Sequence, residues 1–436
     1  MVLAWYPKKG PVVYTINIIE VLTMSYDLII VGAGPGGATA AKTAAEKGAK
    51  VLLLEAAEEG RYKCCAGGIP VSNKEFSKIP HGVGDREITG GFVVTPSSGP
   101  MEFEATGEGN KGYCMFRTDF DKYLVDLARD AGAQVKYGFR AKDIEISRNG
   151  NALVKGPEQY RGKCVILSTG LGGGQIQHRL GLEVPPMING IQAEVALPEA
   201  AIDEHFGNRV WEFFDRSLSA HGIAWAFPKR EAVSIGILGK GVKIEHLKAF
   251  LKYPIIKDKI EGRELMTFGG RKIWAAPIPD KLIEKPYRDR VMVIGDACGT
   301  ADPILYEGIY QARLSGKIAA DVFSQALEEG DFSELYLSKY QELLIKHLYE
   351  ENLRYTYKFH HLLYHSGLVE SIIDSTFSLT QDDPEMMQSM IALFTGSQTR
   401  KQIWETMMSR KFKLVKKLGF RKSLRLLPTL LRATRI

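Results

Sequence analysis

A glycine-rich segment followed at a fixed distance by an acid is the strongest chemical signal in this chain. Gly32, Gly34 and Gly37 follow an apolar run in the pattern G-x-G-x-x-G, and Glu55 ends a second apolar run 18 residues after Gly37. Glycines at this spacing allow a tight turn, close approach of the backbone to a pyrophosphate, and packing of a helix on a strand. An acid at the later position accepts hydrogen bonds from a ribose hydroxyl. The segment therefore predicts a strand–helix–strand unit that binds an adenine dinucleotide.

A second polar segment lies nearer the other end of the chain. The run Val-Met-Val-Ile-Gly ends at Asp296, and Gly308 and Ile309 begin a long stretch with helical character. A buried strand would carry Asp296 to its carboxyl end, where the N–H groups of the following helix can face a phosphate or a flavin oxygen. The alternative is an aspartate that only caps a turn.

The two segments together resemble the two-part FAD site of the flavin monooxygenase-like superfamily. The resemblance implies that FAD is the cofactor, that Asp296 holds its ribitol chain, and that the helix after Gly308 faces the isoalloxazine. It also places Arg117, in the pattern Arg-x-x-x-Asp, near the dinucleotide, although a surface ion pair with Asp121 is the alternative. Ala38 and Ala141 complete the cofactor contacts predicted in this domain.

Two shorter motifs resemble those of the geranylgeranyl reductase family. Cys65-Ala66-Gly67-Gly68 matches the CxGG loop of that family, and Trp225 and Phe227 match its YxWxFP strand, with Ile223 in place of the tyrosine. The resemblance covers roughly residues 24–330. It implies FAD-dependent saturation of C=C bonds in the geranylgeranyl chains of isoprenoid membrane lipids or their precursors.

That reaction assigns roles to these motifs. Reduction of an isolated C=C bond needs a hydride from reduced flavin, a proton, and an apolar pocket. We predict that Cys65 is catalytic, that Cys65, Ala66 and Gly68 contact the cofactor, and that Trp225 and Phe227 form walls for a polyprenyl lipid. The alternatives are a small thiol packed in a turn and ordinary core aromatic residues. The other aromatic residues considered as walls are Trp211, Phe213, Phe214 and Trp274.

Two other functions share these sequence features. One is an FAD-dependent monooxygenase or halogenase, against which the CxGG loop argues. The other is a flavin protein that passes electrons to a quinone or a partner protein. The electron donor is left open among ferredoxin, reduced deazaflavin and NAD(P)H. The five cysteines show neither zinc-like spacing nor a cysteine-rich iron–sulfur segment, so we expect no metal and a reduced, cytoplasmic setting.

These motifs predict an α/β fold with three parts. A Rossmann-like FAD-binding domain is expected at 24–184 and 290–330, an antiparallel β-sheet substrate domain at 185–289, and a helical C-terminal region at 331–436. Residues 1–23 are interpreted as an extension that precedes the first strand.

The C-terminal end of the chain is strongly basic. Twelve Lys or Arg residues lie between 400 and 436 against one acid, Glu405. Apolar residues recur among them at helical spacing, which is typical of an amphipathic helix drawn to an anionic membrane surface. We therefore expect a peripheral protein on the inner face of the membrane. The alternative is a docked helix with a solvated basic face, and nothing else in the chain supports binding of nucleic acid.

Overall fold

The computed structural model describes residues 25–70, 79, 83–105, 111–147 and 150–435. The predicted extension at 1–23 lies outside these residues. The strands are Ser25–Val31 (β1), Val51–Leu54 (β2), Gly68–Pro70 (β3), Arg86–Ile88 (β4), Gly90–Thr95 (β5), Gly99–Glu104 (β6), Gly112–Cys114 (β7), Gln134–Lys136 (β8), Asp143–Ile146 (β9), Ala152–Lys155 (β10), Gln159–Leu167 (β11), Met187–Ala196 (β12), Arg209–Phe213 (β13), Ala224–Pro228 (β14), Ala232–Gly239 (β15), Trp274–Pro279 (β16), Tyr287–Arg288 (β17) and Val291–Val293 (β18).

Helices follow the first strand and fill the C-terminal third of the chain. They are Pro35–Glu46 (α1), Arg117–Asp130 (α2), Gly174–Arg179 (α3), Glu199–His205 (α4), Ile244–Phe250 (α5), Pro254–Ile260 (α6), Ile309–Glu329 (α7), Glu334–Leu344 (α8), Arg354–His365 (α9), Val369–Thr380 (α10), Pro384–Thr395 (α11), Arg400–Ser409 (α12), Lys411–Leu418 (α13) and Phe420–Ala433 (α14). A π-helical segment, Ile345–Leu353, joins α8 to α9.

The first sheet is mostly parallel, with the order β17-β18-β11-β1-β2-β8. Of its central strands, β2 is apolar and fully buried, and β1 is apolar and buried from residue 28 to residue 31, as expected for a parallel sheet covered on both sides. The chain adds β2 and β8 on one side of β1 and β11 and β18 on the other. The strand order therefore reverses at β1, and such a reversal leaves a crevice at the carboxyl ends of the strands, where α/β proteins bind ligands. This confirms the Rossmann-like prediction.

The second sheet has the order β16-β12-β15-β14-β13-β5-β6, and its neighbouring strands are antiparallel except for the parallel pair of β13 and β5. The strands β5 and β6 come from residues 90–104, which the sequence analysis assigned to the FAD-binding domain. That assignment needs a correction, because the pairing of β5 with β13 joins residues more than 100 positions apart and alternation along β5 does not reveal its partner. The remaining domain boundaries stay predictions.

The second sheet is covered on both faces. On one face, the side chains of β13 and β15 pack against α4, α5 and α6. On the other face, apolar residues of the sheet pack with those of α9 to α12, and α14 adds Ala433 to this core. The C-terminal helices therefore close over the cavity side of the sheet, which confirms the predicted helical C-terminal region.

Candidate active site

One large cavity of about 870 Å³ lies between the two sheets and reaches the C-terminal helices. Its lining includes the carboxyl ends of β1, β2 and β11, the loop before β3, the cavity face of β13 and β14, and the start of α7. The crevice of the first sheet and the apolar face of the second sheet are therefore parts of the same space.

The turn between β1 and α1 has room only for glycine at two positions. Gly32 has a positive φ of 106°, and a Cβ on it would lie 2.2 Å from the carbonyl oxygen of Ser168. A Cβ on Gly37 would lie 1.9 Å from the carbonyl oxygen of Gly32. Gly34 differs, because a Cβ there would meet nothing within 4 Å. Gly34 borders the cavity, and the open space beside it suits a ligand that approaches the backbone.

Glu55 is held at the edge of this space by backbone donors. Its two carboxylate oxygens accept hydrogen bonds from the N–H groups of Ala33 at 2.9 Å and Ala57 at 3.0 Å. Arg61 lies 3.5 Å from Oε1 of Glu55 and also bonds Asp121 at 3.1 Å. One guanidinium nitrogen of Arg61, Nη1, is buried and has no hydrogen-bond partner in the described part of the chain. A buried donor without a partner, beside a fixed acid, suits a polar anionic ligand.

Arg117 opens α2 beneath the same region. It forms a two-pronged ion pair with Asp121, with N···O distances of 2.8 and 3.1 Å, and both side chains are buried. Burial lowers the pKa of Arg117, but Asp121 and a hydrogen bond with Cys65 outweigh it, so the pKa is raised. The pair with Asp121 was the alternative interpretation of this residue. It exists, but it lies inside the protein and Arg117 also lines the cavity.

The second polar segment reaches the cavity from the other side of β1. Asp296 lies in a short turn, Gly295–Ala297, directly after β18. A Cβ on Gly308 would lie 3.2 Å from Oδ1 of Asp296, so the aspartate stands beside the residue that caps α7. Asp296, Gly308 and Ile309 all line the cavity. The sequence prediction that these residues meet the glycine-rich turn at one site agrees with this geometry.

The CxGG loop lies over the cavity and is anchored to the second sheet. The backbone N–H of Met115 donates to the carbonyl oxygen of Gly67, and Gln192 on β12 donates to the carbonyl oxygen of Cys65 at 3.2 Å. Beneath Gln192, the fully buried Lys229 and Glu194 form an ion pair at 3.1 Å. Cys65 is half-buried and lines the cavity, as do Ala66 and Gly68.

The YxWxFP-like strand forms a wall of the same cavity. Trp225 is buried and Phe227 partly buried, and both line the cavity on the face that Ile223 also shares. A Cβ on Gly236 of β15 would lie 2.1 Å from the indole ring of Trp225. Gly236 in the neighbouring strand therefore leaves the space that the indole ring occupies. This explains why a glycine-containing strand follows the tryptophan strand.

Some predicted residues lie elsewhere. Gly37 and Ala38 do not line the cavity, because both are buried in the first turn of α1, where they pack the helix onto β1. Trp211 and Phe213 lie on the opposite face of the second sheet, against α5 and α6. Phe214 and Trp274 also lie outside the cavity lining. Ala141, in contrast, lines the cavity, and its contact with the cofactor stays a prediction.

Sequence reasoning missed three lining residues that matter here: Arg61, Gln192 and Glu212. Nothing in the sequence around Arg61 or Gln192 marks them, because their contacts depend on distant segments. Glu212 did carry a signal, since it is an acid between two aromatic residues, Trp211 and Phe213, of one strand. Strand alternation places such an acid on the face opposite to its neighbours.

The described residues contain no helix long and apolar enough to span a bilayer. They also contain no group of three or more His, Cys, Asp or Glu residues arranged to hold a metal ion.

The geometry of the cavity indicates the class of protein to which this chain belongs. A Rossmann-like dinucleotide crevice that opens onto an apolar sheet is the arrangement of a flavin-dependent oxidoreductase. The open space at Gly34, the fixed acid Glu55 and the Nη1 atom of Arg61, which has no partner among the described residues, suit FAD. The family described as FAD binding domain matches residues 27–87.

Comparison with known proteins identifies the family within this class. It is 33% identical to the digeranylgeranylglycerophospholipid reductase of Methanocaldococcus jannaschii over 74% of this chain and 85% of that protein. It is 31% identical to digeranylgeranylglycerophospholipid reductase 1 of Methanopyrus kandleri over 77% of this chain and 88% of that protein. The chain belongs to this family of reductases, and it is an FAD-dependent oxidoreductase of the geranylgeranyl reductase type.

Solved structures share the fold. A geranylgeranyl bacteriochlorophyll reductase-like protein from Thermoplasma acidophilum has a TM-score of 0.70 and 23% identity, over 90% of this chain and 98% of that chain. A variant of the halogenase PltM in complex with FAD has a TM-score of 0.65 and 14% identity, over 94% of this chain and 96% of that chain. At these identities the likeness concerns the fold alone.

Proposed function

We propose that this chain saturates C=C bonds in the geranylgeranyl chains of an isoprenoid membrane lipid or its precursor. The observation that carries the proposal is the continuity of one cavity. The residues suited to FAD, such as Gly34, Glu55 and Asp296, line the same space as the apolar wall of Trp225 and Phe227. A polyprenyl chain against that wall would lie beside the bound cofactor without crossing solvent.

Each group of residues has a task in this proposal. Glu55 and the N-terminal end of α1 bind the adenosine and pyrophosphate part of FAD, and Asp296 and the start of α7 hold the flavin part. Reduced FAD, when bound, supplies the hydride. An alkene offers no charge or hydrogen-bonding group, so the protein orients it through shape and apolar contact. Trp225 and Phe227 provide that contact, and Cys65 lies in the loop that borders both parts of the cavity.

The C-terminal helices supply access to the substrate. α14 faces two ways: Leu426 and Leu430 pack toward the core, whereas Phe420 and Leu424 are 76% and 55% exposed. The other exposed apolar residues of α13 and α14 are Phe412, Val415, Leu427 and Leu431. An apolar stripe among Lys and Arg side chains matches the headgroup region of an anionic bilayer. We propose that this stripe, Phe412 to Leu431, attaches the protein to a membrane that holds its substrate.

The stripe belongs to a docked element, which was the alternative interpretation of the basic tail, and membrane contact through its exposed face stays our proposal. Asp383, at the start of α11, accepts bonds from Arg410 and Lys413, each with an N···O distance near 3 Å. These bonds lower the pKa of Asp383 to about 2. The tail is thus fixed to the body by one face and leaves the other face free for lipid.

A purified-protein assay tests the proposed reaction. The FAD-loaded protein is reduced chemically without oxygen and mixed with a geranylgeranyl glycerolipid in mixed micelles. We expect the flavin to be reoxidised as the lipid gains two hydrogens for each saturated bond. Absorbance measures the flavin, and mass spectrometry measures the lipid. The fully saturated lipid is the matched control and should leave the flavin reduced. A reaction with lipid only when oxygen and halide are added would instead support a monooxygenase or halogenase.

A further inference from the structure

β13 carries an acidic side chain on the apolar wall of the cavity. Trp211 and Phe213 face α4 to α6, so alternation turns Glu212 between them toward the cavity. Glu212 is directly opposite Trp225 on β14, the aromatic residue of the proposed lipid wall. It is only 4% exposed, and its Oε2 atom has no hydrogen-bond partner among the residues that the structure describes.

A buried carboxyl without a partner is costly when it is charged. Burial raises the pKa of Glu212 to about 8, although the positive charge of Arg400 lowers it. Arg400 is itself paired with Asp302 at 2.7 Å, which weakens its effect on Glu212. The other titratable group that acts on this region is Tyr364, whose buried hydroxyl is also without a partner in the described structure. Glu212 therefore carries its proton at neutral pH.

Glu307 also lines the cavity, but this partly buried acid is engaged in hydrogen bonds. Glu307 accepts hydrogen bonds from the backbone N–H of Tyr310 at 3.3 Å and from the side chain of Gln311 at 3.1 Å, one on each carboxyl oxygen. It also adjoins Gly308, on the part of the cavity suited to the flavin. Glu212 has a free oxygen, and it lies on the lipid wall. Their positions and hydrogen bonds thus distinguish Glu212 from Glu307, and of the two only Glu212, on the lipid wall, has an oxygen without a partner among the described residues.

We infer that Glu212 is the acid that protonates the alkene during reduction. The inference rests on the proposed function. Saturation of one C=C bond adds a hydride, with its electron pair, to one carbon and a proton to the other. The hydride comes from reduced flavin, which is oxidised, and the O–H bond of Glu212 breaks as the new C–H bond forms. The carboxylate left behind stands near Arg400, and a proton from solvent restores the acid.

The role explains why an acid is tolerated on an apolar wall. A neutral carboxyl costs much less free energy to bury than a charged one, so a hydrocarbon chain can pack beside it. The charge appears only after proton transfer, when the positive charge of Arg400, which is shared with Asp302, stabilises it in part. A residue kept for packing alone would be served better by an aliphatic side chain of similar volume.

The test uses Glu212→Gln, which keeps shape and neutrality and removes the transferable proton. Glu231→Gln, in the exposed turn between β14 and β15, is the matched control. We expect Glu212→Gln to keep its FAD and its affinity for a fluorescent polyprenyl analogue, and to reoxidise normally with ferricyanide. Its lipid-dependent flavin reoxidation should fall by roughly 100-fold or more, the usual contribution of a general acid. Glu212→Asp should retain part of the activity.

Infrared spectroscopy of the FAD-loaded protein gives a readout besides activity. The wild type should show a protonated carboxyl band that disappears only near pH 8, and Glu212→Gln should lack it. Absence of the band from the wild type at neutral pH would overturn the inference even if the variant fails to fold. Normal lipid turnover by Glu212→Gln, with an active wild type, would overturn it and leave the proposed function intact. A wild type inactive on the lipid overturns the proposed function and the inference with it.

Discussion

Gly68 and Phe227 touch: a Cβ on Gly68 would lie 2.8 Å from the Phe227 ring. The first residue ends the CxGG loop and the second belongs to the aromatic strand of the second sheet. The two motifs that carry the family resemblance are therefore parts of one surface. Cys65, three residues before Gly68, lines the same cavity as Phe227.

This position leads to a prediction for Cys65. Cys65→Ser should keep FAD and still bleach with a chemical reductant, but it should lose most of its alkene reduction, measured as lipid-dependent flavin reoxidation. Cys64→Ser is the matched comparison, because the Sγ of Cys64 lies 3.8 Å from the carbonyl oxygen of Trp274 and burial raises its pKa to about 12. We expect a much smaller loss there. Equal turnover by Cys65→Ser and wild type would leave Cys65 with a packing role.

The adenosine end of the site makes a prediction for Glu55. Glu55→Ala removes an acid held by two backbone N–H groups and should leave those donors unpaired. FAD binding should weaken by roughly 1–3 kcal/mol, the usual cost of such a loss. Calorimetric titration of the apoprotein with FAD measures this. The control is Glu46→Ala, at the exposed end of α1, which should bind FAD as the wild type does. If Glu55→Ala also binds FAD with the affinity of the wild type, the proposed ribose contact is contradicted.

Whether a residue of this site could be predicted from the sequence depends on whether its contacts are made within one local segment of the chain. Gly32, Gly34 and Glu55 lie within one strand–helix–strand unit, so their spacing alone predicts how they are arranged around a ligand. Asp296 could be matched to them because the carboxyl ends of parallel strands meet at one edge. Glu212 could not be placed, because the side of a strand that faces a cavity depends on what covers each face. For the same reason, the sequence left Trp211 and Phe213 open between cavity walls and ordinary core, and the structure places them on the other face of the sheet.

The raised pKa of Glu212 also predicts a pH dependence of stability. The native state holds this proton up to about pH 8, whereas the unfolded chain releases it near pH 4.3. Between these values the native state binds more protons, so this group makes stability fall as pH rises. Glu212→Gln should therefore lose less stability than the wild type between about pH 5 and pH 8 in urea unfolding of both proteins. Parallel pH profiles would show that Glu212 titrates normally.

The exposed stripe of α13 and α14 predicts membrane attachment. Replacing Phe420, Leu424, Leu427 and Leu431 together by Ser should leave FAD content unchanged, because these side chains point away from the core. Co-sedimentation with anionic vesicles should drop strongly, and wild-type binding should weaken at high salt and on neutral lipid. Leu335→Ser, on a residue that is 84% exposed in α8, is the control. Equal sedimentation of the fourfold variant and the wild type would locate any membrane contact elsewhere.

Lipid analysis in a host that makes unsaturated archaeal lipids measures the proposed saturation of geranylgeranyl chains inside a cell. The chain is expressed there without oxygen beside its Cys65→Ser variant, and the lipids are extracted and analysed by mass spectrometry. We expect the wild type to add hydrogen in pairs to the geranylgeranyl chains and the variant to add far less. Unchanged lipids in cells that contain the yellow, FAD-loaded wild-type protein and a competent reductant would contradict the proposed function.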